Sequence, residues 1–402
     1  MLLQFKFKNH KCFYDETILD LTATQEKRHL ETTIDVKGNR ILPVIEIHGA
    51  NASGKSSLLE AINFMFSLIR KSSRADVNRS IRTKPFAFSN ETLKTDSEYE
   101  ISLCLGEYEY RYGFSVNRNA FTEEWLYKKK FSNNSRVVQK VIFERVNNDV
   151  EFGPSYDKYK KTWDLFGNSL NNNTDKLLIL STAAIKEQTG ELRDIYDYIC
   201  KSNYRINNFF DEDTSIDILT QNDIVYDKFQ QVIKEIDPCL LGVKIEKVDE
   251  DSDDESYTIS GIHRNLDNPK ETILLPFGHE SAGTMKIFNI LPKILWNLEL
   301  GGLLCIDELD IQFHPFLFKK IVNMYKDKDI NKNNAQLIYT SHSTMLFNNK
   351  DNRRDQLYLV DKDEFGKSKL YSLSEFKNVR IDTDYEKNYF AGNFGAIPFS
   401  KK

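Results

Sequence analysis

Ile45-Glu46-Ile47-His48-Gly49-Ala50-Asn51-Ala52-Ser53-Gly54-Lys55-Ser56-Ser57-Leu58-Leu59 reads as a strand, a glycine-bounded loop and the start of a helix. Its core fits G-x-x-x-x-G-K-[ST], the pattern of a phosphate-cradling loop. A triphosphate needs this arrangement. Loop N–H groups and the positive end of the helix face the phosphates, and glycines let the backbone approach closely. On that reading Gly49, Asn51, Ala52, Ser53, Gly54 and Ser57 form the cradle, Lys55 reaches the β and γ phosphates, and the Ser56 hydroxyl binds Mg²⁺. A glycine-containing strand-to-helix turn without a ligand fits the same string, so other parts of the chain must decide.

The second element lies far downstream. Leu303-Leu304-Cys305-Ile306 is a continuous apolar run suited to a strand buried on both faces. It delivers Asp307 and Glu308 to the strand's carboxyl end, where ligands bind in open α/β sheets. Two acids after a strand usually mark only a turn. Beside a phosphate loop, Asp307 can hold Mg²⁺, directly or through water, while Glu308 orients and deprotonates an attacking water.

Two further elements are weighed in the same way. Ser281-Ala282-Gly283 precedes a helix expected from Met285 towards Leu300. It is an ordinary Ser N-cap, or a set of small residues at a helix N-terminus aimed at a γ-phosphate held by a second subunit. His342 follows the apolar run 336–339 within Thr340-Ser341-His342-Ser343. A lone histidine there is commonly structural, but in a phosphate-loop protein it can hydrogen-bond the γ-phosphate and sense its loss.

Composition sets the outer bounds. The chain has 402 residues, 40% of them hydrophobic, enough for one large or two ordinary domains. A net charge of −5 provides no overall basic field, and neither demands nor excludes DNA. The five cysteines are scattered, without a C-x-x-C pair or a zinc-binding arrangement, and are expected to be reduced and mostly buried. Residues 1–13 alternate apolar and basic residues and lack a signal-peptide run. The most apolar stretch, 290–306, is interrupted by Pro292, Lys293, Asn297 and Glu299 and cannot span a bilayer. A cytoplasmic protein with no membrane partner is expected.

Period-two alternation predicts strands at 3–8 and 16–21, a hairpin over 98–116 turning near Gly106, and further strands of one antiparallel patch at 123–131 and 140–145. An apolar strand, 41–47, feeds the phosphate loop, and Leu58, Leu59, Ile62, Phe66 and Ile69 predict a helix over 55–69. Helices are expected at 177–185, 191–199, 223–236 and 316–325, and strands at 336–339, 356–360 and 369–372. The acidic run 249–255 reads as a solvated loop. There are no internal repeats and no sustained heptads. The expected organisation is 1–154 with the phosphate loop and β patch, 155–269 as an inserted helical lobe, and 270–402 with Ser281, Asp307, Glu308 and His342.

These four elements, in this order, resemble the ATPase heads of the ABC/SMC/RecF superfamily. Gly49 to Ser56 looks like its Walker A motif, Ser281 to Gly283 its signature, Leu303 to Glu308 its Walker B, Leu309-Asp310 its D-loop and His342 its switch histidine. Asn9-His10-Lys11-Cys12-Phe13, Glu280-Ser281-Ala282-Gly283-Thr284, His314-Pro315 and Gly395-Ala396-Ile397-Pro398 are similar to the stand-alone ATPases of phage-defence systems, the OLD-family, RloA, AbiL and PARIS AriA kind. The resemblance implies an α/β fold: an ABC-type P-loop NTPase head with a mixed central sheet, an N-terminal antiparallel β patch and an inserted helical lobe. It also implies ATP and Mg²⁺, an ATP-bridged dimer and a separately encoded effector. Lys55, Ser56, Asp307, Glu308 and His342 would come from one copy, Ser281 and Gly283 from the other.

The Glu-Ser-Ala-Gly-Thr signature departs from that of transporter cassettes, and the insertion is too short for an SMC arm. No segment after His342 is long enough for a TOPRIM domain, so nuclease activity in this chain is not expected. The competing expectations are a RecF-like DNA-clamping ATPase and a nucleotide-gated scaffold without hydrolysis.

Overall fold

In a computed structural model of the chain, the strand Val44–His48 lies inside a six-stranded sheet. Its order is Arg205–Ile206, Leu303–Ile306, Gln336–Thr340, Val44–His48, Leu357–Lys362, Ser368–Ser372. The first five run parallel and the last antiparallel, giving the mixed sheet expected. The structure describes residues 1–73, 80–131, 138–169, 174–187, 189–202, 205–206, 212–248, 256–377, 379 and 383–397. The acidic run 249–255 and Pro398 lie outside them.

Register places the candidate residues. Ile306 pairs with Tyr339, and Thr340 pairs with Ile47. Three neighbouring parallel strands therefore end level with one another, and the residues that follow them, Gly49, Asp307 and Ser341, emerge at one carboxyl edge.

The sheet is buried on both faces, as its apolar strands require. Ile45, Ile47, Leu303, Cys305, Ile338 and Val360 face one core, and Val44, Leu304, Ile306, Leu337 and Tyr339 face the other. The first core holds the helix Lys55–Ser72, whose Leu58, Leu59, Ile62, Phe66 and Ile69 are all fully buried. Each such side chain contributes about 2 kcal/mol relative to exposure, so the loop is anchored by packing rather than by helix propensity. Against that helix lies a seven-stranded antiparallel sheet running from Asp149–Phe152 through Lys140–Val146, Phe121–Lys130, Tyr108–Val116, Ser97–Leu105 and Leu2–Lys8 to Thr17–Asp20. The second core is built by the helices Glu212–Gln221, Asp223–Ile236, Ala282–Leu300 and Pro315–Lys326.

Several segments differ from the sequence reading. The expected strand 41–47 is two pieces: Asn39–Ile41 pairs with Ile34–Val36, and Val44–His48 begins after Pro43. Proline supplies no N–H to a ladder, which breaks the run there. Residues 155–269 contain the three expected helices, as Ile179–Lys186, Glu191–Lys201 and Asp223–Ile236. They also contain the strands Leu240–Lys247 and Tyr257–Arg264, which join Thr272–Pro276 in a three-stranded antiparallel sheet. Within this segment Trp163, Leu178 and Ile195 pack in the first core, whereas Ile216, Phe229 and Leu240 pack in the second. Of the cysteines only Cys104 and Cys305 are buried; Cys12 and Cys200 are half-buried and Cys239 is exposed. Among the described residues no helix is long and apolar enough to cross a membrane.

Candidate functional site

The loop between Val44–His48 and Lys55–Ser72 is bent by three positive backbone angles: Gly49 at φ 153°, Ala52 at 62° and Gly54 at 122°. It is also tightly walled. A Cβ on Gly49 would sit 2.3 Å from the Val360 carbonyl oxygen, and one on Gly54 would sit 2.8 Å from both Cys12 Sγ and Ser368 Oγ. Ser368 locks the wall by donating from its hydroxyl to the Ser53 carbonyl at 2.5 Å, while its N–H donates to the Cys12 carbonyl at 2.8 Å. The Asn9–Phe13 turn is itself pinned from behind. Asn9 Nδ2 donates to the Thr92 carbonyl at 2.9 Å, and its Oδ1 accepts from Phe86 N–H at 2.8 Å. Gly54→Ala is expected to weaken nucleotide binding by about tenfold or more, because strain and close contact both fall on the loop. Titration with a fluorescent ATP analogue checks this.

Lys55 is buried, and its ammonium donates to the carbonyls of Gly49 at 2.7 Å and Ala50 at 3.1 Å. Burial pushes its pKa down, while Asp307, Glu308 and Asp310 act in the opposite direction. All three carboxylates therefore act on this ammonium through space. Ser56 is exposed at the first turn of the helix, free of the packing that holds Leu58 and Leu59.

The acidic pair is held by the neighbouring strand. Asp307 ends the parallel pairing of Leu303–Ile306 with Gln336–Thr340, so it stands beside Thr340. The Thr340 hydroxyl donates to Asp307 Oδ1 at 2.6 Å and accepts from Glu308 N–H at 2.7 Å. Glu308 adopts the left-handed region, φ 52° and ψ 51°, and its Oε1 lies 3.7 Å from His342 Nε2. Asp310 Oδ2 accepts from the backbone N–H groups of His342 at 3.1 Å and Ser343 at 2.9 Å, tying the acidic turn to the histidine loop.

The structure thus brings together Lys55, Asp307, Glu308 and His342, four of the residues expected from sequence. Ser281 and Gly283 stand on a different element, at the start of the helix Ala282–Leu300. Ser281 Oγ accepts from Thr284 N–H at 3.1 Å as the N-cap of Ala282–Leu300, which begins three residues before the expected start. Gly283 is exposed and lines a hollow with Ile287, Phe313, His314, Phe316 and Lys320, none of them from the phosphate loop. Sequence reasoning missed Thr340 and the Cys12 and Ser368 walls. For Thr340 a signal existed, since it is a threonine closing a buried strand immediately before the histidine loop.

A strand, a glycine-bounded loop and a helix, with a parallel strand two places away in the sheet presenting two carboxylates at the same edge, give the P-loop arrangement expected from the sequence. The family described as "AAA domain, putative AbiEii toxin, Type IV TA system" matches residues 47–348, well over half of the chain, and the chain belongs to it. Among solved structures, the chain is similar to the SMC head domain from Thermotoga maritima at 13% identity. That match covers 92% of this chain and 98% of that one, with a TM-score of 0.42. It is also similar to the Smc head domain with a coiled coil and joint derived from Pyrococcus yayanosii at 11% identity, over 98% of this chain and 99% of that one, with a TM-score of 0.44. No curated protein matches the chain.

Proposed function

We propose that this chain binds ATP with Mg²⁺ and hydrolyses it, at a site completed by Ser281 and Gly283 of a second copy. The observation that carries the reading is the convergence, at one edge of the sheet, of the Lys55 loop with Asp307 and Glu308, which Thr340 holds together, and with His342 3.7 Å from Glu308. Lys55 binds the β and γ phosphates, and the loop N–H groups align them. Glu308 takes a proton from the attacking water, and His342 holds the γ-phosphate oxygens.

Ser56 and Asp307 fit a magnesium site. Ser56 is exposed at the first turn of the helix and Asp307 leaves the same sheet edge as the loop, and Mg²⁺ characteristically takes one or two protein oxygens and completes its shell with phosphates and water. A divalent cation would also offset the charge of Asp307 and Glu308 beside the triphosphate. When bound, the ion neutralises phosphate charge. Phosphate release from ATP should accordingly be lost in EDTA and restored by Mg²⁺; release unaffected by chelation would count against the assignment.

The exposure of Ser281 and Gly283 at a helix start, with Gly283 in a hollow that no phosphate-loop residue lines, supports the use of both in trans. Each copy would present its signature helix to the γ-phosphate held by the other, so that ATP favours the closed dimer and hydrolysis releases it. The family's description as a putative AbiEii toxin of a type IV TA system supports a role in a toxin–antitoxin system, and the resemblance of the defence-type motifs supports a regulatory, anti-phage role acting on a separately encoded effector in the cytoplasm.

A further inference from the structure

We infer that Thr340 is a positioning residue for the acidic pair, setting the geometry of Asp307 and Glu308 together through one hydroxyl. The inference rests on the ATP·Mg²⁺ reading of the site. A threonine hydroxyl offers one proton and two lone pairs. Here the proton goes to Asp307 Oδ1 at 2.6 Å, and a lone pair receives Glu308 N–H at 2.7 Å. The two bonds act on different parts of the turn, one orienting a side chain and the other fixing a backbone.

The backbone needs fixing. Glu308 is not glycine, yet it sits at φ 52°, a conformation that L-residues hold only when their surroundings over-determine it. The Thr340 oxygen is that constraint on the N–H side, and Thr340 is fully buried, so no water replaces it freely. It is itself immobilised at the end of a strand paired on both sides, to Leu303–Ile306 and to Val44–His48. A rigid central strand thereby sets the metal-side carboxylate and the base-side residue at a fixed separation. The same strand end continues into Ser341 and His342, whose N–H is held by Asp310. Movement of the histidine loop is therefore mechanically linked to both carboxylates.

Valine is nearly isosteric with threonine and removes the hydroxyl alone, while serine keeps it. Thr340→Val is expected to lower kcat by about 30-fold and to raise the Mg²⁺ concentration giving half-maximal nucleotide binding by about fivefold or more. Affinity for a fluorescent ATP analogue in EDTA should stay within about twofold, because the loop and Lys55 are untouched. Thr340→Ser should restore kcat and the Mg²⁺ midpoint to within about threefold of the natural chain. A valine variant with the natural Mg²⁺ midpoint overturns the inference, as does a serine variant that falls as far as valine. The Mg²⁺ arm is read by binding, so it decides the matter even if the natural chain proves not to hydrolyse ATP. That last result would overturn the hydrolytic reading separately.

Discussion

Glu308→Gln is expected to lower the rate of ATP hydrolysis by about 10²–10³-fold, equivalent to about 3–4 kcal/mol of transition-state stabilisation. The amide has the size and shape of the carboxylate but cannot accept the proton of the attacking water. The change is local in consequence. The turn is held by Glu308 N–H to Thr340, a backbone bond that the substitution leaves in place. Nucleotide affinity should rise or stay level, since one of three carboxylates facing Lys55 loses its charge. The measurement is single-turnover phosphate release beside equilibrium binding. A variant that binds normally and hydrolyses at the natural rate would assign the base to another group.

Lys55→Ala acts on binding instead. Its ammonium is the cation faced by Asp307, Glu308 and Asp310, and it also joins the Gly49 and Ala50 carbonyls across the loop. Alanine leaves three carboxylates unopposed by that charge and removes two hydrogen bonds that close the cradle. Charge-assisted contacts to phosphate are the strong kind, and losing this one should weaken ATP affinity by about 100-fold or more, roughly 3 kcal/mol. Isothermal titration with ATP and Mg²⁺ reads this directly. Affinity within threefold of the natural chain would move the phosphates away from the loop.

Much of this was legible because the relevant residues sit where local pattern and tertiary position agree. Leu303-Leu304-Cys305-Ile306 has no polar face, and all four residues are buried in the sheet. The helix after the loop shows its buried stripe plainly in Leu58, Leu59, Ile62, Phe66 and Ile69. The strand Val44–His48 is different. Its Glu46 and His48 imitate an exposed face, yet all five residues are buried, with Glu46 Oε1 2.6 Å from His48 Nε2 and Glu46 Oε2 accepting from Asn352 Nδ2 at 2.8 Å. Asn352, over three hundred residues from Glu46 in sequence, cannot be read from a local window. Lys326 belongs to the same buried region. It donates to Asn352 Oδ1 at 2.5 Å, and burial pushes its pKa down to about 8.

The three-stranded sheet escaped notice for a related reason. Leu240–Lys247 and Tyr257–Arg264 are joined through the acidic stretch instead of a two-residue turn, so the usual hairpin signal is missing. The role of Ser281 is the hardest to judge from one chain. Its hydroxyl caps its own helix, which a structural serine and a signature serine would both do.

That question is the centre of the proposal, and mixing two inactive variants tests it most directly. Lys55→Ala leaves Ser281 intact, and Ser281→Arg leaves Lys55 intact. If each site takes its lysine from one copy and its serine from the other, a mixed dimer contains one complete site. Random pairing then predicts phosphate release at roughly a quarter of the natural rate from an equimolar mixture of chains that are each inactive alone. A mixture no more active than its two components, with mixed dimers confirmed by mass, would contradict a site shared between copies.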